Sequence, residues 1–214
     1  MAKIVVIGYG SAGMTAAAYA RMTDRKSQIV VFEKRSYAVY HPCSLPDVLS
    51  GHLKDWEVIK EEGPKAPNLT VHTSTVVEEI DPDFKKVVAR NLKTGEKITE
   101  EYDKLILANG AVPFIPKSIK IEDSSGVFTF KVVEDGISID EAAKKYKKAI
   151  VVGGSALGIE TAYALSKRGL EVTLIEYFPQ LMPGKLSKDF ADEIKERLER
   201  NNVKVVLGKG VSLI

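Results

Sequence analysis

The chain has 214 residues, of which 44% are apolar and 28% charged, an ordinary globular composition that excludes a disordered or fibrous protein. Its 31 basic and 29 acidic residues leave a net charge of +2, which is too balanced for a nucleic-acid-binding surface. One cysteine and three histidines predict neither an internal disulfide nor a metal site, and no apolar run reaches the roughly 20 residues of a membrane span. These features predict a cytoplasmic protein with no membrane or nucleic-acid partner.

A strand–helix–strand unit opens the chain. Ile4 to Ile7 form a β-branched run typical of a strand buried on both faces. The Ala-rich stretch from Met14 to Arg21 favours a helix, and Ile29 to Phe32 predict a second strand.

The turn of this unit has the pattern GxGxxG at Gly8, Gly10 and Gly13. These glycines permit a tight turn, close approach of a pyrophosphate, and close packing of helix on strand. Glu33 ends the second strand, where a carboxylate can bind ribose hydroxyls. The alternative is a glycine-rich turn in an α/β fold that binds no nucleotide.

The pattern changes after this unit. Thr70 to Val77 and Lys85 to Asn91 read as strands, and a polar turn joins the second of them to Ile98. We therefore expect a small antiparallel β-meander at about residues 70–100. Leu105 to Ala108 predict a further buried strand.

A second unit of the first type follows about 145 residues after the first. Ala149 to Val152 predict a strand, Ile159 to Arg168 a helix with Gly169 as its C-terminal cap, and Val172 to Ile175 another strand. The remaining predicted elements are a surface helix from Ser138 to Lys148, a helix from Ser187 to Asn201, and a strand from Val203 to Leu207.

The second glycine motif keeps Gly153 and Gly158 but has Ser155 at the middle position, which predicts a shifted or weaker nucleotide pose. Glu176 ends the following strand and would repel a 2′-phosphate, which favours NADH over NADPH. The alternative is a vestigial site retained only for packing. Together the two units predict an α/β fold with two Rossmann-like domains, residues 1–115 and 116–214, each with a doubly wound parallel sheet.

Cys43 lies ten residues beyond Glu33. A single cysteine is most often a small buried apolar residue. Alternatively, a short helix that starts near Ser44 would make it a reactive thiolate. His41 is either an assisting group or a surface histidine, and the sequence favours neither. Val48 stands where a CxxxxC dithiol needs its second cysteine, so a reactive Cys43 must cycle alone, as a sulfenate or a mixed disulfide.

The ordered motifs resemble those of the flavin-dependent pyridine nucleotide–disulfide oxidoreductases. The resemblance is closest to their single-cysteine branch, which includes coenzyme A-disulfide reductases, NADH oxidases, NADH peroxidases and NADH polysulfide reductases. The segments that carry it are the first glycine motif, Glu33-Lys34, Cys43 with Leu45-Pro46, Leu105 to Gly110, Val151 to Gly154, Gly158 to Glu160, and Val172 to Glu176.

The resemblance implies an FAD-binding domain at 1–115, an NADH-binding domain at 116–214, and Cys43 as the catalytic redox cysteine. Electrons would pass from NADH through FAD to Cys43 and on to a small disulfide, coenzyme A disulfide or polysulfide. Implied FAD contacts are Gly8, Gly10, Ser11, Ala12, Gly13, Glu33, Lys34, Val77, Ala108, Asn109 and Gly110. Implied NADH contacts are Gly153, Ser155, Gly158, Ile159, Glu160 and Glu176, with Glu160 near the nicotinamide.

The chain departs from the family at the positions that hold coenzyme A. The family has a serine and an asparagine before the cysteine, which align here with Val39 and Pro42. It has a glutamine and an arginine on the first helix, which align with Tyr19 and Met22. Arg21 remains, and Arg25 is a second candidate to reach a phosphate. Coenzyme A is therefore less favoured than a smaller disulfide or polysulfide. Ser11 replaces the catalytic histidine of the peroxidases, which disfavours peroxide reduction.

Members of this family are about twice as long as this chain. The resemblance therefore implies an N-terminal portion of a homodimeric parent enzyme, without the C-terminal dimerisation domain. Two alternatives stay open: an NADH oxidase that reduces oxygen, and a non-catalytic nucleotide-binding fragment that needs a second polypeptide.

Overall fold

A computed structural model describes residues 1–214 and contains twelve strands and five α-helices. In chain order they are β1 (Lys3–Ile7), α1 (Ser11–Thr23), β2 (Gln28–Phe32), β3 (Val39–Tyr40), α2 (Leu45–Ser50), β4 (Lys60–Glu61), β5 (Leu69–His72), β6 (Thr75–Asp81), β7 (Lys86–Asn91), β8 (Lys97–Glu101), β9 (Lys104–Leu107), α3 (Val133–Lys145), β10 (Lys148–Val152), α4 (Ala156–Lys167), β11 (Glu171–Glu176), α5 (Lys188–Arg200) and β12 (Val203–Leu207). No helix is long and apolar enough to cross a membrane.

The chain divides into two compact units. The first comprises residues 1–41 and 59–111, and the second comprises residues 42–58 and 112–214. The sequence predicted one boundary, between residues 115 and 116. In the structure, the chain passes from the first unit to the second between residues 111 and 112. The segment 42–58 also belongs to the second unit.

The first unit is built on a four-stranded parallel sheet of order β5-β2-β1-β9. Its inner strands are apolar without alternation because both faces are covered. On one face, Val6 and Val31 pack with Ala17 of α1. On the other face, Val5 packs with Val87 of the β6–β8 meander.

The meander differs from the prediction at its start. Thr70 to Val77 is not one strand, because Ser74 adopts a left-handed φ of 51° that breaks the run. The part before Ser74 is β5, which pairs parallel with β2, and the part after it is β6, which pairs antiparallel with β7. The N–H of Ser74 donates to the carbonyl of Arg35, which follows β2, at 2.7 Å.

The second unit has a three-stranded parallel sheet of order β10-β11-β12. Val172 and Leu174 of β11 pack with Ala162 and Leu165 of α4 in its core. The opposite face of β10 is open, and Ile150 is 67% exposed.

Two of the predicted helices begin earlier than expected. The helix predicted from Ser138 starts at Val133 and ends at Lys145. Asp135 is the cause, because its carboxylate accepts the N–H groups of Lys131 at 2.8 Å and Val132 at 3.0 Å before the helix. The helix predicted at Ile159–Arg168 likewise starts three residues sooner, as α4. The predicted strand at 203–207 is confirmed as β12.

Apolar side chains of the segment 42–58 pack against the rest of the second unit. Leu49 of α2 is fully buried in the core around α4, and Trp56 packs against the same core. The Trp56 ring lies so close to Gly136 of α3 that a Cβ at Gly136 would overlap it. Gly136 is therefore required by the ring and not by its backbone conformation.

We expect Gly136→Ala to destabilise the protein by about 1–3 kcal/mol, because the added methyl overlaps a rigid ring. In a Trp56→Ala background the same change should be neutral or stabilising by roughly 0.5–1 kcal/mol, since alanine is the better helix residue. Urea unfolding of the four proteins measures both effects. The same cost in both backgrounds would contradict the assignment.

Candidate functional site

The first glycine loop is closed by tight contacts within the first unit. A Cβ at Gly13 would overlap the carbonyl of Gly8, and a Cβ at Gly8 would overlap the carbonyl of Ala108. The N–H of Gly8 donates to Phe32 O at 2.8 Å, and that of Ala108 to Ile7 O at 2.8 Å. The structure therefore brings Gly8, Gly13 and Ala108 together at the carboxyl ends of three adjacent strands.

Gly10 differs from Gly8 and Gly13 because no contact within the chain requires a glycine at this position. It has an ordinary φ of −68° at the N-cap of α1, and a Cβ there would meet no atom within 4 Å. Open space before the first N–H groups of a helix fits a pyrophosphate, which needs close backbone approach. This loop therefore fits the dinucleotide phosphates of FAD.

Glu33, predicted to bind a ribose, is 4% exposed and carries several hydrogen bonds. Its carboxylate accepts the N–H of Tyr9 at 2.7 Å and the N–H of Arg35 at 2.9 Å. The Nε and Nη2 groups of Arg35 also donate to this carboxylate, each at 2.8 Å. Arg35 was not predicted from the sequence; an arginine two residues after the acid was the available signal.

The pKa of Glu33 reflects opposing effects. Burial raises the pKa of its carboxyl, but the hydrogen bonds from Arg35 and from the Tyr9 N–H, with the charge of Arg35, outweigh burial and lower it. Glu33 is therefore a fixed anion that organises the loop. Arg35 itself stacks over the Tyr40 ring, with its guanidinium carbon 4.6 Å from the ring centroid.

The second glycine loop repeats the first within the second unit. A Cβ at Gly158 would overlap the carbonyl of Gly153, just as a Cβ at Gly13 would overlap the carbonyl of Gly8. The N–H of Gly153 donates to Ile175 O at 2.8 Å, as Gly8 does to Phe32. Ser155 occupies the N-cap of α4, the place that Gly10 has on α1, and its side chain makes no capping hydrogen bond.

Glu176, the second predicted ribose ligand, is held as Glu33 is. It is 7% exposed and accepts the N–H of Gly154 at 2.5 Å and of Phe178 at 2.8 Å. Phe178 stands where Arg35 stands in the first loop, so no guanidinium joins this carboxylate. Gly154 was not predicted, but a Cβ there would come within 3.0 Å of Glu176 and of Leu181.

Cys43 lies in a 3₁₀ turn, Pro42–Ser44, immediately before α2, and it is exposed. This exposure excludes the alternative of a small buried apolar residue, and the role of Cys43 as a reactive thiol stays a prediction. Cys43 lines a cleft of about 590 Å³ in the second unit. The other lining residues come from α2 and α4 and the turn after α2: Pro46, Asp47, Ser50, Gly51, His52, Glu160, Tyr163, Ala164 and Lys167.

Glu160 lies in the first turns of α4, at the wall of this cleft. Partial burial raises the pKa of its carboxyl, and the negative charge of Asp47 raises it further. The carboxylates of Asp47 and Glu160 therefore line the same cleft and lie within electrostatic reach of each other.

The remaining predicted residues lie as follows. Ser11 and Ala12 begin α1 and are exposed, as are Lys34, Asn109 and Gly110, which follow β2 and β9. Val77 lies in β6, where the pairing register shifts, and packs against the Val5 core. Ile159 follows Gly158 in α4.

Two basic residues suggested by the sequence are occupied elsewhere. The guanidinium of Arg21 donates to three backbone carbonyls, those of Arg25, Ser27 and Asn68, at 2.7–2.9 Å. Arg21 therefore ties loops together and is not free to bind a coenzyme A phosphate. The ring of His41 is 2.7 Å from a Glu61 oxygen.

Comparison with known proteins agrees with this geometry. Residues 2–214 match the family model described as pyridine nucleotide-disulphide oxidoreductase. An NADH oxidase of Methanocaldococcus jannaschii is 36% identical over 218 residues, which cover 99% of this chain and 48% of that protein. A coenzyme A disulfide reductase of Staphylococcus aureus is 33% identical over 206 residues, covering 92% and 46%.

Among solved structures, a NAD-dependent persulfide reductase from A. fulgidus superposes with a TM-score of 0.86 at 30% identity, covering 99% of this chain and 41% of that one. The chain therefore belongs to the pyridine nucleotide-disulphide oxidoreductase family, and the predicted Rossmann-like α/β fold is confirmed. The chain spans about half the length of the curated relatives it matches.

The ion pair at Glu33 predicts a specific pH dependence. Because the folded-state pKa of Glu33 lies below the ordinary value of 4.5, its stabilisation is present at neutral pH and is lost as pH falls below that value. Glu33→Gln should cost about 1.5–3 kcal/mol at pH 7, the range for hydrogen bonds to a charged group, and less at about pH 3.

Urea unfolding across this pH range measures the difference. Glu62→Gln is the matched control, because the Glu62 side chain is 89% exposed and should contribute nothing at either pH. A Glu33→Gln deficit that stayed constant with pH would contradict the assigned ionisation.

Proposed function

We propose that the chain is the nucleotide-binding part of an FAD-dependent NADH:disulfide oxidoreductase that uses Cys43. The observation that carries the proposal is the pair of like-built glycine loops, each with a buried acid, in a chain with one exposed thiol. Flavin, when bound, accepts a hydride and passes two electrons to sulfur.

The first loop is assigned to FAD. Support comes from the vacant space at Gly10 and from the exposed N-terminal residues Ser11 and Ala12 of α1. The N–H groups of a helix's first turn have no partners within the helix and point toward an anion. Glu33 contributes by holding the loop, through the Tyr9 N–H, in the conformation that leaves this space open.

The second loop is assigned to NADH. Its acid, Glu176, lacks the arginine that accompanies Glu33, so a 2′-phosphate would meet a carboxylate with no neutralising cation. The non-phosphorylated nucleotide is therefore favoured. The Ser155 side chain stands where Gly10 leaves open space, which supports a shifted pyrophosphate pose.

Cys43 is assigned as the thiol that meets the oxidised sulfur substrate. Its thiolate attacks a disulfide or polysulfide sulfur, a new S–S bond forms to Cys43, and the displaced thiolate takes a proton from solvent. Two electrons, which FAD would supply when bound and reduced, and one proton from solvent would then cleave the mixed disulfide to the Cys43 thiolate and a free thiol. The occupied Arg21 supports a substrate without the coenzyme A phosphates.

A second candidate is NADH oxidation by oxygen. The similarity to the Methanocaldococcus jannaschii NADH oxidase favours it. A third is a nucleotide-binding module that needs a second polypeptide, favoured by the open face of β10 at Ile150.

The assignment of the first loop predicts that Gly10→Ala lowers FAD affinity at least tenfold, because the methyl fills the space for the pyrophosphate. The same variant should unfold within about 0.5 kcal/mol of the wild type, since no protein atom is near. Gly13→Ala, whose methyl overlaps Gly8, is the contrast and should lose stability with or without FAD. Titration of the visible flavin band and urea unfolding give the two readouts.

Anaerobic NADH should then bleach the bound flavin band, and NADPH should do so less efficiently. A chain that acquires no flavin band after incubation with FAD would overturn the redox proposal for these 214 residues. A flavin band unaffected by NADH would overturn the assignment of the second loop.

Cys43→Ser should abolish NADH-dependent disulfide reduction and leave the bleaching of flavin by NADH intact, because only the sulfur step uses this thiol. Thiol release and flavin absorbance measure the two steps separately. Ser44→Ala is a matched control that keeps Cys43. Unchanged disulfide turnover in Cys43→Ser would contradict the proposed mechanism, and oxygen uptake with NADH alone would favour the oxidase.

A further inference from the structure

Two exposed aromatic rings follow the acid of the second glycine loop. Tyr177 and Phe178 come directly after Glu176, the last residue of β11, and they are 72% and 50% exposed. In the first loop, Lys34 and Arg35 stand at the corresponding positions after Glu33. The aromatic pair is therefore a feature of the second loop and is not required by the duplicated fold.

The two rings are perpendicular to each other. Their centroids are 5.4 Å apart, and their planes meet at 87°. We call this pair of rings the aromatic corner. A planar heterocycle that stacks on one ring of the corner meets the second ring edge to face, and both arrangements are favourable between π systems.

Backbone hydrogen bonds hold the aromatic corner in place. The N–H of Phe178 donates to the Glu176 carboxylate at 2.8 Å, and the carbonyl of Phe178 accepts the N–H of Gly208 at 2.9 Å. The N–H of Lys209 donates to the carbonyl of Glu176 at 3.2 Å. The corner is therefore bound both to the end of β11 and to the segment after β12, so that a ligand has little backbone to order when it binds.

Gly210 makes room for the Tyr177 ring. A Cβ at Gly210 would lie 3.3 Å from this ring, which is tighter than an ordinary contact. The φ of Gly210 is not left-handed, so its backbone conformation does not require a glycine. The chain after β12 thus approaches the ring on one side, while most of the ring surface stays accessible to a ligand.

The aromatic corner lies at the edge of the sheet where ligands bind in open parallel α/β folds, outside the carboxyl ends of the strands. Glu176, at the same edge, is the acid assigned to the ribose. In adenosine the base is bonded to the carbon next to the one that carries the 2′-hydroxyl. A ribose held at Glu176 therefore presents its base to the residues that immediately follow this acid.

We propose that Tyr177 and Phe178 bind the adenine base of NADH, with the base stacked on the Tyr177 ring and its edge toward Phe178. The proposal rests on the proposed assignment of the second loop to NADH. Stacking on an aromatic side chain is a major contribution to base binding in proteins. These two rings would add affinity for the dinucleotide that the glycine loop and Glu176 do not provide.

The experiment measures the dissociation constant of ADP-ribose by calorimetric titration of the chain loaded with one equivalent of FAD, which fills the first loop. ADP-ribose contains the base, the ribose and the pyrophosphate of NADH but cannot reduce flavin. We expect Tyr177→Ser to weaken ADP-ribose binding about five- to 150-fold, the range for the loss of one aromatic ring from a stacked base. Its urea midpoint should equal that of the wild type, because the ring is mostly exposed.

Three variants test whether the ring itself acts. Tyr177→Phe keeps the ring and should retain the wild-type affinity. Gly210→Ala places a methyl against the ring and should weaken ADP-ribose binding less than Tyr177→Ser does. Phe190→Ser removes a similarly exposed ring from α5 and is the matched control, which should change nothing.

Nuclear magnetic resonance gives a direct readout of the contact. Saturation of the protein's aromatic protons should transfer to the two carbon-bound protons of the adenine ring in the wild type. The transfer should be lost in Tyr177→Ser and kept in Tyr177→Phe.

Equal ADP-ribose affinity in the wild type and Tyr177→Ser, an equal loss in Phe190→Ser, or no saturation transfer to adenine would each overturn the inference. The two proposals fail separately. If NADH does not bleach the flavin but Tyr177→Ser still weakens ADP-ribose binding, only the redox proposal is overturned. Bleaching by NADH with an unchanged ADP-ribose affinity overturns only the base site, and a wild-type chain that binds no ADP-ribose overturns both the base site and the assignment of the second loop.

Discussion

Each nucleotide loop depends on one buried carboxylate that accepts the N–H of the residue after the first glycine. The distances are 2.7 Å from Tyr9 to Glu33 and 2.5 Å from Gly154 to Glu176. This bond joins the loop to the end of the neighbouring strand, so that loop, strand and helix N-terminus keep one geometry. Removing either carboxylate would leave a buried N–H unsatisfied in the glycine loop.

The two loops differ in the groups that surround the corresponding carboxylate. Arg35 makes Glu33 part of a rigid ion pair, while Phe178 leaves Glu176 with backbone partners only. The duplicated architecture therefore contains two chemically distinct carboxylate environments.

Much of this could be predicted from residue patterns. The β-branched runs and glycine spacing predicted both strand–helix–strand units because these signals are local. The single-strand interpretation of Thr70–Val77 was wrong, since the left-handed turn at Ser74 depends on a long-range bond to Arg35. The cleft could not be predicted either, because it also depends on a long-range contact. The proximity of Asp47 to Glu160 depends on how α2 packs on α4, which no spacing in the sequence reveals.

The packing of Trp56 on Gly136 has an optical consequence. Trp56 is the only tryptophan in the chain, and it lies on the same segment, 42–58, as the only cysteine. Its fluorescence therefore reports on the attachment of this segment to α3 with no other indole contributing. The chain thus contains its own emissive probe for any motion that separates this segment from α3.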